Sequence, residues 1–233
     1  MRSHYAVKEE KNNLDPGKKT ISVIDYGLGN LKSVISGFQR IGHKVAVAST
    51  PEEILNAESI VLPGVGAFED GMKGLRERNL IDALHKYVNS GKPLLGICLG
   101  TQLLMSESEE FGLNKGLDII KGRVVQFKDP SQVNEKNYRV PHIGWNSLIL
   151  PKKKKWSSTI LSKTQENSEV YFVHSFIVVP NDKEHVLATT EYGGQEFCSL
   201  LKKGNIYGCQ FHPEKSGEIG SKMLEVFGSL GGA

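Results

Sequence analysis

A cysteine flanked by two glycines lies between an apolar run and a helix-like segment in the middle of the chain. Gly96, Cys98 and Gly100 follow residues 93–95 and precede residues 102–105, which have the sequence QLLM. This spacing is typical of a nucleophile elbow, a sharp strand-to-helix turn with small residues on either side of a reactive side chain. A helix start also favours a thiolate. The pattern therefore indicates Cys98 as a nucleophile, and the alternative is a cysteine that only packs in the interior.

A histidine and a carboxylate lie two residues apart near the C-terminal end. His212 and Glu214 follow residues 208–211, which predict a short buried strand, and side chains two apart on an extended segment project from the same side. The ends of distant strands meet at one edge of a parallel sheet. We therefore predict a triad in which Cys98 is the nucleophile, His212 is the general base and acid, and Glu214 orients the imidazole.

A glycine-rich loop completes this set of chemical groups. Residues 59–62 predict a strand, and the loop Pro63-Gly64-Val65-Gly66 follows it. In elbow enzymes one oxyanion donor is the N–H of the residue after the nucleophile, here Leu99, and the second comes from a loop after a neighbouring strand. We expect Gly64 or Val65 to supply that second donor. An ordinary glycine-rich turn is the alternative for this segment taken alone.

Composition excludes several classes of protein. The 233 residues, 39% hydrophobic and 24% charged, are typical of one soluble globular domain. No apolar run approaches the roughly 18 residues of a membrane helix, so we expect a cytoplasmic protein without membrane association. A formal net charge of +3 is too small to indicate nucleic-acid binding, and the lysine run 152–155 is interpreted as a solvated loop. Three cysteines without ligand spacing predict neither a disulfide framework nor a metal site.

The segments that must position these residues alternate between strand and helix patterns in the first half of the chain. This alternation implies a parallel sheet flanked by helices. After Gly112 the pattern changes to strand-like segments, which predict an antiparallel extension of a mostly parallel mixed α/β sheet. Residues 1–19 are expected to form a flexible N-terminal extension and residues 20–230 a single domain. The predicted strands are 21–25, 44–48, 59–62, 93–97, 122–127, 146–149, 169–174, 186–190, 196–201 and 206–211, and the predicted helices are 31–41, 71–89 and 217–227.

Several ordered segments resemble one known family. GICLGTQ at 96–102 and QFHPE at 210–214 are similar to the class I, or triad-type, glutamine amidotransferases. The segments DYGLGN at 25–30, PHIGWN at 141–146 and YFVHS at 171–175, with HPEKSG at 212–217, narrow this resemblance to the glutaminase subunits of imidazole glycerol phosphate synthases. The similarity covers residues 21–227. Phe176 departs from the pattern, because tyrosine is common there.

The resemblance implies a flavodoxin-like fold of the class I glutamine amidotransferase type, with residues 20–230 as its domain. It implies L-glutamine as the substrate, hydrolysed through a γ-glutamyl thioester, and no cofactor. The ammonia would pass to a (β/α)₈-barrel cyclase subunit, the heterodimer partner, which forms imidazole glycerol phosphate in histidine biosynthesis. The resemblance also assigns a glutamine pocket of Gln102, His174 and Ser175 and a partner interface of Asn30, Trp145, Tyr171 and Lys215.

Other readings stay open from the sequence. A related glutaminase could serve a different synthase, for example one that amidinates a sugar. A cysteine peptidase would use the same triad logic, and a binding module of the same fold would need no triad. For Trp145 the alternative to an interface is a place in the core.

Overall fold

A computed structural model describes residues 18–128 and 138–230. Parallel strands form one half of its main sheet, and about half of their residues are buried Ile, Val or Leu. The strands are β1 (Thr20–Ile24), β2 (Lys44–Ala48), β3 (Ser59–Leu62), β4 (Leu94–Ile97) and, late in the chain, β13 (Ile206–Cys209). Their spatial order is β2-β1-β3-β4-β13, so β4 and β13 lie side by side although they are far apart in sequence.

Helices cover both faces of this parallel half. The helices are α1 (Leu31–Arg40), α2 (Pro51–Asn56), α3 (Phe68–Glu77), α4 (Ile81–Asn89), α5 (Leu99–Leu103) and α6 (Gly217–Gly228). Alternate side chains of each strand point to opposite faces and form two cores. Val61 packs with α1 and α6 residues, whereas its neighbours Ile60 and Leu62 pack with α2, α3 and α4 residues. Pro51 at N1 and a capping box between Thr50 and Glu53 start α2.

The second half of the main sheet is largely antiparallel and extends from β13 through β12. Its strands are β5 (Met105–Ser108), β6 (Asn114–Lys115), β7 (Ile120–Gln126), β10 (Phe176–Pro180), β11 (Val186–Tyr192) and β12 (Gln195–Lys203). A separate antiparallel pair consists of β8 (His142–Ser147) and β9 (Glu169–His174). The register of this pair sets Trp145 opposite Tyr171 and His142 opposite His174.

The predicted fold class, a mostly parallel mixed α/β sheet with an antiparallel extension, is confirmed. The single helix predicted over 71–89 is wrong: α3 and α4 are separate, because Asn79 adopts a left-handed backbone conformation (φ 57°) between them. The helix-like segment 102–105 is also wrong in part, since α5 ends at Leu103 and β5 begins at Met105. Helix α2 and strands β5, β6 and β10 had no prediction.

Some predictions concern parts of the chain that the structure does not describe or test. Residues 1–17 of the predicted N-terminal extension lie outside the described residues. The division of the chain at residue 19 therefore stays a prediction. Among residues 18–128 and 138–230, no helix combines the length and the apolar character needed to cross a bilayer.

Candidate active site

Cys98 lies in a strained turn between β4 and α5. Its φ of 52° and ψ of −110° are unusual for a residue with a side chain. The Cys98 N–H donates to the Cys209 carbonyl at 2.7 Å, and the Cys98 carbonyl accepts from the N–H groups of Thr101 and Gln102 at 3.0 and 3.3 Å. A Cβ at Gly100 would overlap the Leu62 carbonyl, which explains the small residue there. The turn thus has the elbow geometry that the sequence predicts.

His212 and Glu214 lie in the chain segment that follows β13, beside the elbow. The predicted extended segment is wrong here, because β13 ends at Cys209 and residues Pro213–Lys215 form a 3₁₀ turn. The His212 N–H donates to the Tyr171 carbonyl at 2.9 Å, and Arg40 on α1 donates to the Glu214 backbone carbonyl at 3.1 Å. The turn brings Glu214 Oε1 to 2.8 Å from His212 Nδ1.

Electrostatics favour the imidazolium form of His212. Burial opposes its protonation, but hydrogen bonding and negative charge from Cys98 and Glu214 outweigh burial and raise the pKa of His212 to about 9. Both side chains of the His212–Glu214 pair are almost fully buried. Within residues 18–128 and 138–230, His212 Nε2 and Glu214 Oε2 have no hydrogen-bond partner. The surrounding negative charge therefore keeps a proton on the imidazole.

A cavity of about 270 Å³ opens beside Cys98, and the predicted pocket residues Gln102, His174 and Ser175 all line it. Glu110, which sequence reasoning missed, is the acidic residue among the lining residues. Its Oε2 accepts from the Phe68 N–H at 2.6 Å, at the start of α3. Glu109 and Glu110 are adjacent in the sequence, and no neighbouring residue type indicates which of the two faces the cavity. The residues that line the cavity are Val65, Gly66, Cys98, Leu99, Gln102, Glu110, Pro141, Val173, His174, Ser175 and Phe176.

Two buried amide side chains connect the cavity wall to the thiol. Gln102 Nε2 donates to the Phe176 carbonyl and to Gln210 Oε1, each at 3.2 Å. Gln210 Nε2 in turn donates to Cys98 Sγ at 3.8 Å. The phenylalanine at position 176 therefore takes part through its backbone carbonyl, which does not depend on the side-chain hydroxyl that tyrosine would add.

His142 and His174, which we call the histidine pair, lie at this wall: His174 lines the cavity, and His142 lies behind His174. His142 Nδ1 is 3.2 Å from His174 Nε2, and His174 Nδ1 is 2.9 Å from the Phe176 carbonyl oxygen. Burial lowers the pKa of His142 to about 4 and that of His174 to about 3. Both rings are therefore neutral at physiological pH.

The predicted oxyanion donors lie together, but Leu99 is engaged. The Leu99 N–H donates to the Gly64 carbonyl at 3.3 Å, so the peptide between Gly64 and Val65 points its oxygen toward the elbow. Tyr26 Oη holds the preceding Pro63 carbonyl at 2.7 Å. Rotation of the 64–65 peptide would free the Leu99 N–H. It would also turn the Val65 N–H to the side of the elbow where the Gly64 carbonyl oxygen now points.

An exposed apolar face lies beside the triad on β8 and β9. We define this docking face as Ile143, Trp145, Tyr171 and Lys215. Trp145 is 54% exposed, so its placement in the core is wrong. Its ring contacts that of Tyr171 edge to face at 6.0 Å, and Lys215 Nζ lies 5.9 Å from the Tyr171 ring centroid.

Two further contacts relate the docking face to the rest of the site. The Ser216 hydroxyl accepts from the Tyr171 N–H at 3.0 Å and donates to the His212 carbonyl at 2.7 Å. It therefore connects the docking face to the catalytic turn, and sequence reasoning missed it. Asn30, predicted as an interface residue, caps α1 by accepting from the Ser33 N–H at 3.3 Å.

Comparison with known proteins agrees with this fold. Residues 22–228 match the family model described as "Glutamine amidotransferase class-I". The chain belongs to the class-I glutamine amidotransferase family, which confirms the resemblance read from the motifs.

Curated relatives carry a more specific name. The chain is 50% identical to "Imidazole glycerol phosphate synthase subunit HisH 1" of Legionella pneumophila (strain Paris) over 210 residues, which cover 89% of this chain and 98% of that protein. It is 41% identical to "Imidazole glycerol phosphate synthase subunit HisH" of Geobacter sulfurreducens over 210 residues, 90% of this chain and 98% of that protein. Both relatives are named as subunits of a synthase.

A solved structure supports the fold. The structure described as "Structure of PurLQS from Thermotoga maritima" has a TM-score of 0.69 and 21% sequence identity. The match covers 90% of this chain and 97% of the other. At this identity the likeness concerns the fold alone.

Proposed function

We propose that this chain is the glutaminase subunit of an imidazole glycerol phosphate synthase. It hydrolyses L-glutamine to glutamate and ammonia and passes the ammonia to a (β/α)₈-barrel cyclase subunit. The observation that carries the proposal is the position of Cys98, which lies at the wall of an amino-acid-sized cavity with His212 and Glu214 beside it. The names of relatives 41% to 50% identical over most of the chain support the choice of synthase.

The first half-reaction forms a thioester. The Cys98 proton passes to His212 Nε2, and the sulfur attacks the side-chain amide carbon of glutamine, whose oxygen becomes an oxyanion. The intermediate collapses as the C–N bond breaks, and the leaving nitrogen takes the proton from His212 to depart as ammonia. A His212 pKa of about 9 suits this role, because the imidazole keeps the proton at neutral pH until the leaving group needs it.

The second half-reaction regenerates the thiol. His212 accepts a proton from water, the hydroxide attacks the thioester carbon, and the C–S bond breaks to give glutamate while the leaving sulfur takes the proton back from His212. Glu214, 2.8 Å from Nδ1, keeps the proton of the neutral imidazole on Nδ1, so that Nε2 remains free to accept. The oxyanion of both tetrahedral intermediates requires the Leu99 N–H, which the Gly64 carbonyl occupies in this structure.

Substrate selection follows from the cavity's lining. The Glu110 carboxylate supplies a negative charge for the α-ammonium group of glutamine, and Gln102 offers an amide at the elbow end. A volume of about 270 Å³ matches a single amino acid better than an extended peptide, which favours glutamine over the substrate of a cysteine peptidase.

The docking face is the surface we assign to the cyclase subunit. An exposed Trp beside a half-buried Tyr and a neighbouring cation is a typical set of interface anchors. Val173 lines the cavity on its strand, and Ile143 is its partner across the β8–β9 pair. The docking face therefore borders the place where ammonia is released, and a partner seated there can receive it.

A rescue experiment tests the proposal. The complex with the barrel subunit is assayed with glutamine and separately with ammonium salts, for the parent, Cys98→Ala and Cys98→Ser. We expect both variants to lose glutamine-dependent cyclisation and to keep the ammonia-dependent reaction, since Cys98 only generates ammonia. Substantial glutaminase activity in Cys98→Ala would contradict the nucleophile assignment, and loss of the ammonia-dependent reaction would indicate a structural role instead. Co-purification from cells identifies the second chain and tests the choice of synthase.

A further inference from the structure

The histidine pair belongs to a continuous hydrogen-bonded chain that ends at the nucleophile, and each link of the chain has one direction. The Phe176 carbonyl can only accept, so His174 Nδ1, at 2.9 Å, must carry the ring proton. A neutral His174 then has an unprotonated Nε2, which must accept from His142 Nδ1 at 3.2 Å. Tautomers of both rings are therefore fixed by a single backbone carbonyl.

The end of the hydrogen-bonded chain that lies farthest from Cys98 follows the same donor-to-acceptor order. With its proton on Nδ1, the neutral His142 ring has an acceptor at Nε2, which faces Asn146 Nδ2 at 3.5 Å. Asn146 Nδ2 also donates to the Glu191 carbonyl at 2.9 Å, and its Oδ1 accepts from the Ser147 N–H at 2.8 Å. The Asn146 amide is thus held in the orientation that the chain requires.

The near end reaches the thiol. The Phe176 carbonyl accepts from Gln102 as well as from His174, Gln102 donates to Gln210, and Gln210 donates to Cys98 Sγ. Gln210 and Gln102 are buried, so their amides have few alternative partners. A change in the donor to the Phe176 carbonyl therefore acts on the side chains that contact the nucleophile.

His142 itself touches neither the cavity nor the triad. Its ring is stacked between Tyr192, at a centroid distance of 3.9 Å, and Phe172, at 4.9 Å, both with an interplanar angle of 23°. It is absent from the residues that line the cavity. An ordinary core position of this shape would suit phenylalanine, and a buried imidazole with both nitrogens engaged indicates that the hydrogen bonds matter.

We propose that His142 is a positioning residue for glutamine hydrolysis: by donating from Nδ1 to His174, it fixes the tautomer and orientation of the His174 ring and, through the Phe176 carbonyl, Gln102 and Gln210, the placement of the Cys98 thiol. This inference rests on the proposed function, since it takes Cys98 as the nucleophile. It extends the site to a residue beyond the substrate's reach, on the strand that also carries Trp145.

Three substitutions at one position separate positioning from packing. Asn in His142→Asn places an amide nitrogen where Nδ1 was and keeps the donor to His174. Gln in His142→Gln places the same amide near the former Nε2 and loses that donor. Phe in His142→Phe keeps a ring between Tyr192 and Phe172 and has no donor at all.

The measurements are kcat and KM for glutamine in the complex with the barrel subunit, the rate of Cys98 alkylation by iodoacetamide, and the melting temperature. We expect His142→Gln and His142→Phe to lower kcat and the alkylation rate about tenfold while KM changes less than about twofold, because misplacement of a reacting atom acts on the chemical step. The variant His142→Asn should stay within about threefold of the parent in both rates, since it retains the donor.

Two results would overturn the proposal. One is parent-like kcat and alkylation in all three variants. The other is an equal loss of kcat in His142→Asn, His142→Gln and His142→Phe that follows their melting temperatures, which would mean that His142 only packs. If the parent complex hydrolysed no glutamine, the proposed function would fail, and the alkylation rates alone would still test whether His142 places the thiol.

Discussion

Glu214→Gln is the substitution whose effect can be worked out most fully from the structure. It removes the negative charge 2.8 Å from His212 Nδ1 and keeps the size of the side chain. The rise in the His212 pKa from 6.5 to about 9 stabilises the imidazolium by roughly 3 kcal/mol, at about 1.4 kcal/mol for each pKa unit. Cys98 supplies part of this stabilisation. We therefore expect the loss of Glu214's share to lower kcat/KM for glutamine about 10- to 100-fold.

The orientation of the new amide decides whether the loss of kcat/KM stays within this range or exceeds it. With its oxygen toward Nδ1 the amide keeps the productive tautomer, and with its nitrogen there it forces the proton onto Nε2, where the imidazole cannot accept from the thiol. No residue that the structure describes hydrogen-bonds Glu214 Oε2, so no such partner selects either orientation. Complete conversion to the second tautomer would bring the loss toward about 10⁴-fold, as for the corresponding change in serine proteases.

The assay is steady-state glutaminase activity of the complex between pH 6 and pH 9.5. Glu218→Gln is the matched control, because it makes the same change on an exposed glutamate in the first turn of α6 and should leave kcat/KM unchanged. His212→Ala sets the upper limit, with an expected loss of about 10⁴-fold or more. Parent-like activity of Glu214→Gln would refute the reasoning, and a different acid would then have to orient His212.

Three further predictions concern the partner, the oxyanion loop and pH. Trp145→Ala should weaken association with the barrel subunit by about 2 kcal/mol, measured by titration calorimetry, and leave alkylation of Cys98 by a glutamine-analogue electrophile intact; unchanged affinity with a lower melting temperature would speak against an interface. The isolated chain should hydrolyse glutamine about 10²–10³-fold more slowly than the complex with its ribonucleotide ligand, since the Gly64 carbonyl occupies the Leu99 N–H and one oxyanion donor is worth that factor; equal rates for the chain alone, with the barrel subunit and with subunit plus ligand would eliminate this switch. The histidine pair stays neutral in the fold at pKa values of about 4 and 3 but binds protons near 6.5 when unfolded, so its contribution to the free energy of unfolding is full above pH 6.5 and falls by about 4 kcal/mol by pH 5. The raised pKa of His212 acts oppositely, and its contribution of roughly 3 kcal/mol is full below pH 6.5 and is lost as pH rises through about 9. Urea unfolding across pH 5–9.5 should therefore give a maximal free energy of unfolding near pH 7. A free energy of unfolding that did not fall between pH 7 and pH 5 would contradict a neutral histidine pair.

Local sequence determined the elbow and most of the strands. An elbow is a short-range steric problem, so its small flanking residues and central cysteine are visible in seven consecutive letters. The strands 59–62 and 169–174 were predicted with the observed bounds, because short runs of Ile, Val and Phe favour β-strands. Helix bounds were predicted least well where a single residue breaks a helix, as Asn79 does between α3 and α4.

Tertiary structure alone decided the groups that surround the triad. Glu110 reaches the cavity because the β5–β6 hairpin returns it to the start of α3, and the histidine pair forms because the β8–β9 register sets position 142 opposite 174. The orientation of the 64–65 peptide is a backbone rotation that no residue type fixes. These features depend on contacts between segments distant along the chain, whereas the elbow depends only on neighbours. That difference in range is the physical reason the sequence by itself indicates the elbow but not the position of Glu110, the pairing of His142 with His174 or the orientation of the 64–65 peptide.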